Sequence, residues 1–336
     1  MNGREDWLEL TQELALDPEQ RICDPHHHFW NHPNSRYLAE EFLQDIGGGH
    51  RIVKTVFVEC LQFYDASAST QMQAVGETVT VDRIAREAAR EDRPDIAAGI
   101  VGFADLMLGG AVRPVLEAHL GASPRFRGIR HATAWHADEK IHNAHTNPVE
   151  NQLGLETFRA GLKQVAEMEL SFDAWLYQTQ LPELTDLADA IPDLNIVLNH
   201  MAGPLGIGPY RERRKQEFQA WKEQMTDLSR CENVSVKLGG RAMTMSGFGW
   251  SARSEPPGSE ELAAAMAPYF ETCIELFGPE KCMFESNFPV DKAGCSYTVL
   301  WNALKRVASI YTQTERDQLF HDTAVRFYRL DNLSIG

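Results

Sequence analysis

The stretch Arg21-Ile-Cys-Asp-Pro-His-His-His-Phe-Trp30 decides the fold. It begins as a short apolar run and ends in three consecutive histidines. Side chains two apart on a strand share a side, so His26 and His28 converge while His27 faces the other way. Two convergent imidazoles at the end of a strand suit a divalent metal, and the C-terminal end of a strand is where a parallel barrel carries its chemistry. The bland alternative is a polar, histidine-rich start to a loop.

Working outward from this run, seven more of the same kind follow, at 51–60, 95–103, 126–132, 170–177, 194–200, 233–240 and 281–288. Amphipathic helical patterns lie between most of them. Phe218, Trp221, Met225 and Leu228 recur at helical spacing in the sixth interval, and Leu262, Met266, Phe270, Ile274 and Phe277 in the seventh. Asp, Gly and Pro punctuate the changes from helix to strand. Strands alternating with helices imply parallel pairing by right-handed crossovers, and eight such units close into an α/β (β/α)8 TIM barrel of about this length. An open doubly wound sheet is the runner-up, but no Gly-rich phosphate loop follows any run. The chain is expected to be one domain over 1–336. Residues 1–20 read as an extra N-terminal helix packing through Trp7, Leu8, Leu10, Leu14 and Leu16. Two long mouth loops stand out, at 135–151 and 243–259, and the second, rich in Gly, Ser and Pro, is a candidate lid.

The formal net charge is −16, from 32 Lys and Arg against 48 Asp and Glu. That balance excludes nucleic acid and anionic membrane as expected partners, because phosphate binding needs a basic surface. No run of 18 apolar residues is present, and the acidic N-terminus reads as no secretory signal. The six cysteines show no C-x-x-C spacing and sit mostly in apolar runs. They read as buried free thiols in a reducing cytoplasm.

Further candidate residues lie at the ends of the other runs. His200 ends the sixth, before a Gly-Pro turn; its bland reading is a turn cap. In the eighth, Glu285 and Asn287 point one way by alternation. A buried carboxylate at Glu285 needs a partner, and Lys237 on the neighbouring run is one. Glu285 is then a metal ligand, a general base or half of a buried ion pair. Glu59 ends the second run. Arg127 and Arg130 fall on opposite faces of the fourth, and Arg130 near the mouth would hold a substrate carboxylate or carbonyl, or else a structural ion pair. Trp175 and Tyr177 would wall a pocket or fill the core. His136, His142 and His145 read as surface residues.

The pieces at 24–30, 126–131, 199–204, 236–239 and 281–289 together resemble the amidohydrolase superfamily, in the branch that includes 2-pyrone-4,6-dicarboxylate lactonase, sugar-acid lactonases and 4-sulfomuconolactone hydrolase. The resemblance implies a barrel that hydrolyses at a carbonyl centre, a metal set built on His26, His28 and His200, and a place in aromatic- or sugar-acid catabolism. Asn287 falls where the family has an aspartate, and an amide cannot ionise. Glu285 stands where the family usually has a small residue. The expectation is a displaced carboxylate, with Glu285 or Asp291 supplying the charge. Strand five lacks the histidine of binuclear members, with Tyr177 and Gln178 there instead, so one divalent ion (zinc or manganese) or none is expected. The substrate would be a small, carboxylated lactone. Rival readings are a decarboxylase or hydratase on an aromatic or unsaturated acid, hydrolysis of an amide, ester or C–C bond, and an inactive ligand-binding barrel. A homodimer is a general prior only.

Overall fold

The computed structural model describes residues 4–332. Eight parallel strands follow one another around a barrel in chain order: β1 (Arg21–His27), β2 (Arg51–Val58), β3 (Asp95–Gly102), β4 (Phe126–Ile129), β5 (Ser171–Ala174), β6 (Asn195–Leu198), β7 (Val234–Leu238) and β8 (Cys282–Phe284). All eight expected runs are strands. Most are shorter than expected at their C-terminal ends, because the chain leaves the ladder where mouth residues begin. β8 closes on β1 through Asn287 N–H to His26 O (2.9 Å), His28 N–H to Phe288 O (2.8 Å) and Ser286 N–H to the Asp24 carboxylate (2.9 Å). The other Asp24 oxygen accepts the Tyr297 hydroxyl at 2.9 Å. One buried carboxylate on β1 thus takes a donor from the end of β8 and another from the helix Tyr297–Val307 behind the seam, and the backbone bonds close the strand edge.

A helix covers each interval, from Ala39–Ile46 after β1 to Ser259–Phe277 before β8. The expected apolar faces point inward. Trp221, Met225 and Leu228 are buried with Phe218 half-buried, and Leu262, Met266, Phe270, Ile274 and Phe277 are all buried. Each such side chain contributes roughly 1.5–3 kcal/mol on leaving water, so the periodic pattern fixes which way each helix rolls. No described helix is long and apolar enough to cross a membrane. The cysteines are all free, five of them buried and Cys60 half-buried.

The N-terminal expectation is corrected. Within 4–20 only Glu5–Leu8 is helical, and Met1–Gly3 lie outside the described residues. Leu8 is buried, but Leu10, Leu14 and Leu16 are exposed. The segment is held instead by its backbone carbonyls. Asn302 donates to Leu14 O (2.9 Å), and Lys305 donates to Leu16 O and Asp17 O (2.8 Å each). A helix would spend those carbonyls internally. The 243–259 loop is likewise tethered: Trp250 is buried and stacks on Phe248 at 4.4 Å, and Arg4, Trp7 and Thr11 donate to carbonyls of Ser251, Arg253 and Pro256.

Candidate active site

The pleat of β1 divides its histidines as the alternation requires. His27 turns outward, stacked on Phe42 at 4.3 Å with Nε2 at 2.9 Å from the Thr55 hydroxyl. His26 turns into the lumen, with its ring 4.9 Å from His28 and 4.6 Å from His200. His28 is fixed by Nδ1 donating to Val58 O at 2.8 Å, which leaves the lone pair on Nε2.

His200 reaches the same place by an unusual path. His200, Met201, Ala202 and Gly203 all have left-handed backbones, with φ of 53°, 53°, 62° and 45°. For the three residues with a Cβ this conformation costs about 1–2 kcal/mol each. Tertiary contacts hold the turn: Trp221 Nε1 donates to Met201 O at 3.0 Å and Arg241 Nη1 to Pro204 O at 2.8 Å. The result places His200 Nδ1 at 2.5 Å from Glu285 Oε1, under the edge of Trp175 (5.0 Å between ring centres).

Glu285 is fully buried, and its Oε2 lies 2.9 Å from His26 Nδ1. Burial pushes its carboxyl up to about 8, against a lowering pull from Lys237. Burial, then nearby cations, hold His26 and His200 well below the ordinary imidazole range. Two glycines at the end of β7 make room. A Cβ on Gly239 would stand 2.3 Å from Glu285 Cγ, and one on Gly240 (φ +68°) 2.6 Å from His200 Cγ.

The expected Lys237–Glu285 pair is corrected. Lys237 Nζ bonds Asp173 Oδ2 at 2.7 Å and stands 3.3 Å from His26 Nδ1. Asp173 also accepts from Tyr328 OH (2.8 Å) and Asn199 Nδ2 (3.2 Å), so its charge is spoken for on three sides. Sequence reasoning missed Asp173, although an acid inside the apolar run 170–177 was the available signal. Arg130 is also less free than expected. Its Nε donates to Glu59 Oε1 at 2.7 Å, a second nitrogen donates to Glu59 O, and Nη1 lies 3.4 Å from His26 Nε2. Its fork is spent on the protein, and Arg130, with His145, holds the Glu59 carboxyl below its ordinary range despite burial. Arg127 turns away, with Nη1 on the carbonyls of Pro124 and Phe126. His145, expected at the surface and exposed there, still brings Nε2 within 3.2 Å of Glu59 Oε2. His136 bonds Tyr210 OH at 2.8 Å, and the Tyr177 hydroxyl is committed to His142 O, so Tyr177 packs the loop. Trp175 is half-buried beside the centre.

Asn287 (φ +55°) is buried, and its Nδ2 donates to Asp291 Oδ1 at 3.0 Å. The other Asp291 oxygen accepts Ala242 N–H at 3.1 Å, and burial pushes its carboxyl up to about 7.

His26, His200 and Glu285 form a buried group whose ligand atoms all lie within 4.8 Å of one another. Glu285 Oε2 lacks a well-aligned hydrogen bond despite its burial. Two imidazoles and a carboxylate, one oxygen of it unspent, are a donor set that fits one divalent cation. His28, the other histidine of the expected set, stands just outside this closest group, its ring 4.9 Å from that of His26.

A family model described as Amidohydrolase matches residues 23–330. An uncharacterised protein of Sinorhizobium fredii is 32% identical over 92% of this chain and 98% of its own length. An L-fucono-1,5-lactonase of Burkholderia multivorans is 24% identical over 91% of this chain and 95% of its own. Among solved structures, an amidohydrolase from Burkholderia multivorans with bound zinc superposes with a TM-score of 0.69 at 20% identity, covering 92% of this chain and 99% of that one, a likeness of fold.

Proposed function

This chain belongs to the amidohydrolase family, and from that premise we propose that it opens a small lactone by adding water to the ring carbonyl, in the cytoplasm. The observation that carries the reading is Glu285, a buried carboxylate between the Nδ1 atoms of His26 and His200. The lactonases among its relatives support the choice of a cyclic ester over an amide.

His26, His200 and Glu285 would hold one zinc or manganese ion. A cation held there would supply Lewis-acid polarisation of the carbonyl and would make water more acidic. The chain's own groups do the rest. Asp291, pushed up to about 7 and oriented by Ala242 N–H and the Asn287 amide, takes the proton of the attacking water. The water's oxygen bonds to the carbonyl carbon, the ring C–O bond breaks, and Asp291 returns the proton to the departing ring oxygen. The product is an open hydroxy acid. Burial, and then the positive charge of Lys237 (anchored by Asp173) and Arg130 (anchored by Glu59), keeps the His26 ring neutral. Trp175 supplies an apolar wall beside His200.

A second reading keeps the same residues without a cation. The 2.5 Å contact of His200 Nδ1 with Glu285 Oε1 favours it, since that imidazole then donates to the carboxylate. Metal content of protein purified without added metal, followed by a lactone panel with and without chelator, tests both. Ring opening that chelator abolishes supports the cation; unchanged turnover in chelator removes it. A panel in which no lactone opens overturns the function, and released CO₂ from an aromatic acid would replace it with the lyase.

A further inference from the structure

Among the described residues, Arg241 is a buried cation at the mouth that no carboxylate meets in a direct ion pair. Arg130 has Glu59 and Lys237 has Asp173. Arg241 is 1% exposed; its Nη1 donates to the Pro204 carbonyl at 2.8 Å, and the Tyr269 side chain is its other polar neighbour. Its Nε and Nη2 have no hydrogen-bond partner among the described residues. The guanidinium lies between aromatic faces, 4.2 Å from the ring centre of Tyr269 and 5.2 Å from that of Phe248. Burial lowers it, but only to about 10, so it stays charged at neutral pH. The carboxylate whose charge supports Arg241, Asp291, already accepts from Ala242 N–H and Asn287.

The place of Arg241 in the chain ties it to the centre. Gly239 gives room to Glu285, Gly240 gives room to His200, and Ala242 holds Asp291. Each near neighbour of Arg241 therefore touches a residue of the centre, and Arg241 itself holds the turn that carries His200. Nε and Nη2 share one edge of the guanidinium, the edge that receives both oxygens of a carboxylate in parallel. A buried charge with that edge unspent is costly unless a ligand completes it.

We propose that Arg241 is the specificity residue of the site, its free edge clamping a carboxylate on the substrate, so that the preferred lactones are acidic ones. The anchor moves here from Arg130, whose fork Glu59 occupies. Phe248 lies on the 243–259 loop, so the loop and the anchor would meet the same end of the ligand. This deepens the lactonase reading and rests on it.

The test compares a γ-lactone bearing a carboxylate with the same ring bearing a hydroxymethyl group, in wild type, R241M and R241K. Wild type should favour the acid. R241M also removes the Nη1 bond to Pro204 that steadies the His200 turn, so both rings should lose turnover, but the acid should lose about 30-fold or more in kcat/KM beyond the neutral ring, with R241K in between. Unfolding midpoints measured with the hydroxy diacid formed by ring opening give a readout without turnover: the diacid should protect wild type and leave R241M unprotected. Equal losses on both lactones, or equal protection of wild type and R241M, would overturn the inference while leaving lactone hydrolysis intact. If neither lactone nor any other in the panel opens but the protection still depends on Arg241, the anion site stands and the lactonase reading falls.

Discussion

Two buried histidines, His119 and His200, mark the difference between the barrel's outer layer and its lumen. His119 lies on the helix Arg113–Ala122, stacked on Phe126 at 4.8 Å. Its Nδ1 meets the Thr78 hydroxyl at 2.8 Å and its Nε2 meets Phe103 O at 2.9 Å. Every polar atom of that ring is satisfied by a neutral partner, and its backbone is ordinary helix. His200 is buried as deeply, yet it sits on a left-handed turn, faces an acid at 2.5 Å, and has two cations, Lys237 and Arg130, depressing it. Burial alone therefore says nothing about role. The sign of a working site is the concentration of unlike charges and backbone strain around one ring.

The sharpest way to break this contrast is Glu285→Gln. It should lower kcat by on the order of 10²–10⁴ and cut any metal content, with the heat-unfolding midpoint little changed. Full turnover in that variant would place Glu285 on the structural side of the comparison. His119→Ala should do the reverse, costing about 3 kcal/mol of stability in a urea titration and leaving kcat per folded molecule unchanged. The pH dependence sharpens it further. Burial lowers His119 to about 4, below its unfolded value near ~6.5, so the unfolded chain binds more protons between those values. The contribution is whole above the unfolded value and is lost as pH falls toward the folded one, roughly 2 kcal/mol between pH ~6.5 and 5. A His119→Gln variant should show a flatter stability profile over that window. The smallest expected change is Asn287→Asp. It sets a second carboxyl beside Asp291 at the present 3.0 Å contact, so one of the two holds a proton at neutral pH. Turnover should survive, with its pH–rate curve moved to higher pH.

The outer layer was legible because it is periodic. Leu262, Met266, Phe270, Ile274 and Phe277 announce one buried helix face, and repetition of such runs announces the barrel. His26 and Glu285 were legible for a related reason, since alternation along a strand aims them inward, and His200 from its place at a strand end before a Gly-Pro turn, although the left-handed turn that delivers its ring was not. What resisted was pairing between distant residues. Lys237 could meet Glu285 or Asp173, and only the relative stagger of β5, β7 and β8 selects the acid. Arg130 was placed at the mouth, but its capture by Glu59 depends on β2 and β4 flanking β3. Arg241 sits past the strand end, where no period reaches. The N-terminal segment failed differently: its leucines suggested a helix, and the demand of Asn302 and Lys305 for carbonyls overrode them.

The turn at 200–203 is wound against the local preference of its own residues, so only distant packing keeps it so. Trp221 and Arg241, from two different elements, are its clasps. Mild denaturant that loosens either should let the segment spring to the ordinary hand and carry the imidazole off its carboxylate before the barrel melts. Enzyme activity should accordingly vanish at a lower urea concentration than the far-ultraviolet dichroism, and coincidence of the two curves would show the turn to be as firm as the strands beneath it.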